Sequence, residues 1–285
     1  MVQLSPLLPE RTQQNPNHKP LNHHKSGCPI FAAFFAAKVG IRATREPHSS
    51  LRQRACRVAT SRAASSFIYA VNRGQQMYIP KLNEEKRVPV MHELITSQPF
   101  ASLVTMGASG LFASHIPMVL EQDGSEFGIL KAHISRANQQ WRDLTPSIDA
   151  LAIFAGHHHY ISASWYPGTK EDGKEVPTWN YVVVHAYGPL KVIEDPVRLR
   201  AHLEKLTNTH EAGSANPWKV SDAPEDFIKQ QMKGIVGLEM PIRRLEGKWK
   251  VSQNRNQRDR TAVTQELAKL NTPESLAMKK LVEHS

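Results

Sequence analysis

The stretch from Ala155 to Gly188 limits the chain most. It runs Ala-Gly-His-His-His-Tyr-Ile-Ser-Ala-Ser-Trp-Tyr-Pro-Gly, crosses a short charged loop from Lys170 to Glu175, and resumes as Val-Pro-Thr-Trp-Asn-Tyr-Val-Val-Val-His-Ala-Tyr-Gly. The β-branched run Val182 to Val184 is a strand signal, and the Tyr166-Pro167-Gly168 corner is a turn signal. Two strands joined by a polar loop, bearing Tyr160, Trp165, Tyr166, Trp179, Tyr181 and Tyr187, are expected to form a pocket wall.

The rest of the chain fits a β protein with interspersed helices. Pro89 to Ser97 is expected as a short helix with Val90, Met91 and Leu94 as its apolar stripe. Phe100–Met106 and Leu111–Leu120 form a hairpin about Gly107–Gly110, and Glu126–Ile134 and Ile148–Ala155 are further strands. Ala137–Leu144 is expected as a helix, as are Pro196–Glu211 and Pro224–Lys233. Ile235–Leu245 reads as a strand ending in a turn at Glu246-Gly247, with Lys248–Ser252 returning. The spacing predicts a mainly β fold, a small barrel with peripheral α-helices.

Charge divides the chain. Residues 1–76 hold 11 of the 36 Lys and Arg but only two of the 26 Asp and Glu, Glu10 and Glu46. Residues 77–285 therefore carry 25 basic and 24 acidic side chains and are nearly neutral. The overall +10 thus gives no clustered basic surface for nucleic acid beyond the extension, and direct nucleic-acid binding is not supported by charge. Both cysteines, Cys28 and Cys56, also lie in the extension. Three units are expected: a basic extension at 1–76, disordered or targeting, a domain at 77–255, and a helical tail at 256–285. The extension is Arg-rich, Ser-rich and acid-poor from Phe31 onward, as organelle transit peptides are, but a gene-start artefact is the first reading and targeting the second. Its longest apolar run, Ile30–Ala37, is too short to cross a membrane. A cytoplasmic or nuclear protein is expected, with organelle targeting by residues 1–76 as the alternative.

Four segments carry chemistry. On a strand, Lys131, His133 and Ser135 share one face, and Arg136 and Asn138 follow where strand gives way to helix, a setting that suits an anion such as phosphate. A polar strand end with a solvated Arg is the plain alternative. Ser162, Ser164, Trp165 and Tyr166 with Thr178, Trp179, Asn180 and Tyr181 suit a flat heteroaromatic ligand, or fill a ring-rich core. His157–His159 with His133 or His185 offer metal-binding imidazoles, but no helical His motif supports a metal, and none is expected. Lys248 to Asn254 alternates Lys248 and Lys250 against Trp249 and Val251, with Gln253 and Asn254 as amide donors.

Five strings resemble one family: Met77-Tyr78-Ile79-Pro80, His133 to Trp141, Tyr160 to Tyr166, Val176 to Tyr181 with His185 and Gly188, and Leu245 to Asn254. In this order they look like the PaiB family of FMN-binding negative transcriptional regulators. That family is similar to the flavin-binding split-barrel proteins that include pyridoxamine phosphate oxidases. The resemblance runs from Met77 to about Arg260. It implies a split β-barrel and a homodimer with FMN at the interface. It places His133, Ser135, Arg136 and Asn138 about the phosphate and ribityl chain. Trp179, Asn180, Lys248 and Gln253 fall near the isoalloxazine or close the site from the partner subunit. A transcriptional regulator is the first functional expectation. A flavin-dependent oxidoreductase acting on a small molecule is the alternative, and a haem-binding split barrel a minor one.

Overall fold

The computed structural model describes residues 77–285; the extension, with the targeting and disorder expectations made for it, lies outside the described residues. Ten strands alternate with six α-helices along the described residues. The strands are β1 (Glu84–Glu85), β2 (Phe100–Gly107), β3 (Gly110–Pro117), β4 (Val119–Glu121), β5 (Ile129–Ser135), β6 (Ala150–Ile161), β7 (Thr178–Gly188), β8 (Lys191–Ile193), β9 (Ile235–Pro241) and β10 (Arg244–Lys250). The helices are α1 (Val88–Ser97), α2 (Pro167–Glu171), α3 (Pro196–Glu211), α4 (Glu225–Lys233), α5 (Gln257–Leu270) and α6 (Pro273–Glu283). One antiparallel sheet has the order β1-β10-β7-β6-β2-β3, and the other β4-β5-β9-β8. This is the split β-barrel with peripheral helices that the sequence led us to expect.

The chain passes between the sheets four times, once through the long segment between β5 and β6 and three times at short breaks. The expected single strand Leu111–Leu120 is two strands, because Pro117 cannot donate to a ladder and ends β3. Buried Met118 then bonds its N–H to the Pro99 carbonyl, and β4 opens in the other sheet. The second break lies between β7 and β8, and the third between β9 and β10. These two meet at Gly188, where a Cβ would run into the Pro241 carbonyl oxygen, so only glycine lets the two sheets approach there.

Several elements differ from expectation for identifiable reasons. The strand expected to end at Ala155 continues through the three histidines to Ile161, with its register against β7 shifting between Ala155 and His158. The irregularity falls at Gly156, where a Cβ would crowd Leu94 and Val182. Gly247 is inside β10 opposite Val184, and serves close packing under Met91 and Glu85 instead of a turn. The real turn is at Ile242-Arg243, and the short β8 carries too little pattern to be noticed. The expected helix Ala137–Leu144 is only a 3₁₀ turn at Gln139–Trp141. Asn138 caps that turn, the Trp141 indole N–H donates to the Arg136 carbonyl, and the Asp143 carboxylate is drawn off to the N–H groups of Ala108 and Ser109 in the β2–β3 turn.

In α1 the buried side chains are Met91, Leu94 and Ile95, while Val90 is only partly covered. Residues 256–285 contain α5 and α6, which pack into the core. Val263 and Leu267 of α5 and Met278 and Val282 of α6 are fully buried in the same core as Phe154 and Val184.

Candidate functional site: a cleft where the two sheets part

Between β3 of the larger sheet and β5 of the smaller one the barrel opens into a cleft of about 590 Å³, within the size range of small-molecule sites. Ser114 and His115 of β3 form one wall, His133 and Ser135 of β5 the other, and Asn138 and Gly234 close its end. The alternation of β5 explains the second wall. Leu130, Ala132 and Ile134 go into the core, which leaves Lys131, His133 and Ser135 on the other face. Lys131 is withdrawn by an ion pair with Glu121 at 2.5 Å, so the cleft keeps the imidazole and the hydroxyl.

Asn138 ties the cleft together. Its Oδ1 accepts the Gln140 N–H at 2.9 Å, and its Nδ2 donates to Ser114 Oγ at 2.9 Å, joining the end of β5 to β3. Gln140 lies beneath, fully buried. Its amide donates to the Leu103 carbonyl and to Thr105 Oγ1, both at 3.1 Å, while its Oε1 has no partner among the described residues. Behind His133, its Nδ1 lies 3.2 Å from Nε2 of His202 on α3. Burial pushes the His133 pKa down, and burial with the neighbouring His133 takes that of His202 down to about 4. The pair is therefore neutral at ordinary pH.

The eight residues singled out from sequence separate into three places. His133, Ser135 and Asn138 line the cleft. Arg136 does not line it; its guanidinium pairs with Glu194 at 2.7 Å, donates to the Lys233 and Ile235 carbonyls, and lies over the Trp141 ring. It holds the backbone on either side of Gly234, the residue that closes the cleft. The other four gather at β7 and the end of β10. Asn180, 1% exposed, donates to Ser252 Oγ at 2.9 Å. Gln253 accepts the Val251 N–H at 2.7 Å and donates to the Leu82 and Trp249 carbonyls. Lys248, 8% exposed, donates to the Tyr78 carbonyl and lies beside the Tyr78 and Tyr181 rings. Trp179, 53% exposed, projects outward with Tyr160 and His158 beside it.

Sequence reasoning missed Ser114, His115 and His202, and gave Gln140 no role of its own within the His133–Trp141 string. Only His202 left a signal, an imidazole three residues after Leu199 on the apolar stripe of α3. His157 and His158 are exposed, and among the described residues no group of three or more His, Cys, Asp or Glu has an arrangement that could hold a metal ion.

The donor set suits FMN. Hydroxyl, amide and imidazole groups can serve a ribityl chain and a phosphate without placing a fixed negative charge in the cleft. A family model described as "Putative FMN-binding domain" matches residues 77–244. An uncharacterized protein of Emericella nidulans is 33% identical over 231 residues, covering 69% of this chain and 92% of that one. An uncharacterized protein of Aspergillus fumigatus is 32% identical, covering 73% and 97%. The protease synthase and sporulation protein PAI 2 of Bacillus subtilis is 30% identical over 207 residues, also covering 73% and 97%. Among solved structures, the flavocytochrome of Azotobacter vinelandii has a TM-score of 0.45 at 12% identity, covering 60% of this chain and 72% of that one. The FAD and heme binding protein of Mycobacterium smegmatis has a TM-score of 0.44 at 14% identity, covering 59% and 73%. The cleft's donor set, the matched family model and the similarity to PAI 2 agree: the chain belongs to the PaiB-like family of FMN-binding proteins, and FMN is its cofactor.

Proposed function

We propose that this protein is a homodimeric PaiB-type regulator that holds FMN in the β3–β5 cleft, the ring system reaching the partner subunit. The observation that carries the reading is the cleft itself, where Ser114, His115, His133, Ser135 and Asn138 converge with no carboxylate among the lining residues. The cleft supplies binding and orientation; FMN, when bound, supplies any redox chemistry.

The face of the larger sheet supports the dimer. Cross-strand partners point to one side, so His115, Ser102, Ile153, His185 and Glu246 form a row from β3 to β10. Val104, Leu151, Val183 and Lys248 lie on the same side, and Trp179 and Tyr181 continue it along β7. Val104, Leu151, Ile153 and Val183 are only partly covered, as residues awaiting a second layer would be. His115 at the cleft and Glu246 are four strand spacings apart, roughly 19 Å. In this reading exposed Trp179 meets the cleft of a second copy laid against this face, its own cleft being across the sheet, and buried Lys248 braces the Tyr78 segment beside it.

With residues 77–285 nearly neutral, regulation would pass through protein contacts in preference to direct grip on nucleic acid. One observation favours a flavin-dependent oxidoreductase as the second reading. Ala113, His115 and Ser135 are exposed, so a small molecule has access to the cleft. The test is to purify the full chain, record its absorption spectrum with and without added FMN, and measure its mass in solution. A flavin spectrum on a particle of twice the chain mass is expected, and Leu151→Glu should lose both. A colourless monomer that takes up no FMN would sink the reading, and a Soret band would replace it with haem. Rapid bleaching by NADPH, with reoxidation by an added acceptor, would favour the oxidoreductase.

A further inference from the structure

His133 has two ring nitrogens with different surroundings. Its Nδ1 faces His202 Nε2 at 3.2 Å, with the rings edge to face at 5.4 Å between centroids. Its Nε2 makes no hydrogen bond among the described residues, and the ring lines the cleft. His202 is 6% exposed, and its Nδ1 is buried without a hydrogen-bond partner among the described residues. His202 also lines a half-open pocket of about 10 Å³ with Leu199, Gly237 and Glu239 among others, at the lower limit of the space a water needs, so Nδ1 has neither a partner among the described residues nor a roomy solvent site.

Two neutral imidazoles in contact share one N–H, so the tautomer of one dictates that of the other. If His133 donated, His202 would keep its own proton on buried Nδ1 as an unpaired donor. If His202 donates, the buried atom is a lone pair. Orphaned N–H groups are the rarer and costlier of the two. The charged groups around the pair are matched: Lys131 of β5 pairs with Glu121 of β4, and Arg198 of α3 with Glu239 of β9. No unmatched charge there favours a cationic imidazole.

We propose that His202 is a positioning residue that donates its Nε2–H to His133 Nδ1, locking His133 as the Nε2–H tautomer and aiming a neutral donor at a phosphate or ribityl oxygen in the cleft. The ligand part rests on the FMN reading of that cleft; the lock does not. The downward shift of both imidazole pKa values agrees with a pair that stays uncharged.

The test is histidine ring ¹⁵N NMR on the full chain without FMN, beside FMN fluorescence titrations from pH 5 to 8. Wild type, His202→Leu and His202→Gln are compared, Gln being able to donate to Nδ1. The wild-type protein should show His133 as the Nε2–H form throughout most of that range. His202→Leu should show mixed His133 tautomers, an upward shift of its titration, and FMN binding roughly 3- to 10-fold weaker, the loss of one neutral hydrogen bond. His202→Gln should recover most of both properties. Wild-type His133 in the Nδ1–H form, or a His202→Leu protein with unchanged tautomer and FMN affinity, would overturn the proposal. A wild-type protein with the locked tautomer that binds no FMN would overturn the cleft reading and the donor's target, and leave the lock demonstrated.

Discussion

Asn138 separates the stability of the cleft from its affinity for an anion. Its Oδ1 caps the 3₁₀ turn through the Gln140 N–H, and its Nδ2 bonds Ser114 Oγ across the gap, each at 2.9 Å. Alanine removes both contacts. A lost cap costs about 1 kcal/mol and a lost hydrogen bond about 1 more, so Asn138→Ala should lower stability by about 2 kcal/mol, or about 4–8 °C in Tm for a domain of this size. Aspartate keeps the capping oxygen and loses only the donor, so Asn138→Asp should cost about 1 kcal/mol. FMN affinity should rank the other way. The amide has a second N–H to offer the cleft, and its loss in Asn138→Ala weakens binding about 5-fold. A carboxylate about 6 Å from a phosphate, at an effective dielectric near 20, adds repulsion of about 3 kcal/mol, roughly 100-fold in Kd. Thermal melts and FMN fluorescence quenching on both variants supply the two rankings. Equal FMN affinities for the alanine and aspartate proteins would show that no anion binds beside Asn138.

Arg136→Ala should act mainly on stability, by about 1–3 kcal/mol, because its guanidinium serves Glu194 and the Lys233 and Ile235 carbonyls; a loss of FMN affinity above 100-fold with an unchanged melting curve would return it to the phosphate site. Folding stability should rise between pH 4 and pH 6.5. His202 has a folded pKa of about 4 against an ordinary 6.5, so in that window the unfolded chain binds the extra proton, and stability falls as pH drops. The integrated effect is up to about 3 kcal/mol, and chemical denaturation of His202→Gln at the two ends of the window should show it largely removed. Cutting the chain after Arg255 should prevent folding, since Val263, Leu267, Met278 and Val282 together contribute roughly 6–12 kcal/mol of burial, comparable with the whole stability of a domain; a soluble truncated protein with a cooperative melt would refute the placement of α5 and α6 in the core.

The sequence carried the strands and long helices well, because alternation and helical spacing are local. Pro196–Glu211 is a helix with the bounds its pattern implies. What escaped is set by tertiary contact. Gly247 reads as a turn in one dimension, and only the approach of Met91 and Glu85 shows why a strand needs it. Asp143 ends a nascent helix by bonding Ala108 and Ser109, 35 and 34 residues away. The cleft was half visible. His133, Ser135 and Asn138 come from one contiguous segment, whereas Ser114 and His115 come from a strand that leaves its sheet at Pro117, and no local pattern joins the two walls. Arg136 shows the opposite failure: a cation next to an anion site in sequence turned away to pair with Glu194.

The division of the predicted residues between a cleft and a distant patch can be tested without knowing any reaction. If one FMN site takes its cleft from one subunit and Trp179 from the other, an Asn138→Asp homodimer has two spoiled clefts and a Trp179→Ala homodimer two spoiled covers. Losing an aromatic stacking partner costs about 1–3 kcal/mol; at about 2 kcal/mol, roughly 30-fold in Kd, an FMN concentration near the wild-type Kd leaves both homodimers nearly empty. Unfolding and refolding them together yields about half mixed dimers, each with one wild-type site and one doubly altered site. FMN uptake should then recover to about a quarter of the wild-type level. Trp179 is exposed, so its removal leaves the fold intact and the comparison clean. No recovery in the mixture, with mixed dimers verified by mass, would mean that Trp179 and the cleft do not meet across a dimer. Recovery selects the shared site, because sites completed within single chains would each retain one of the two lesions.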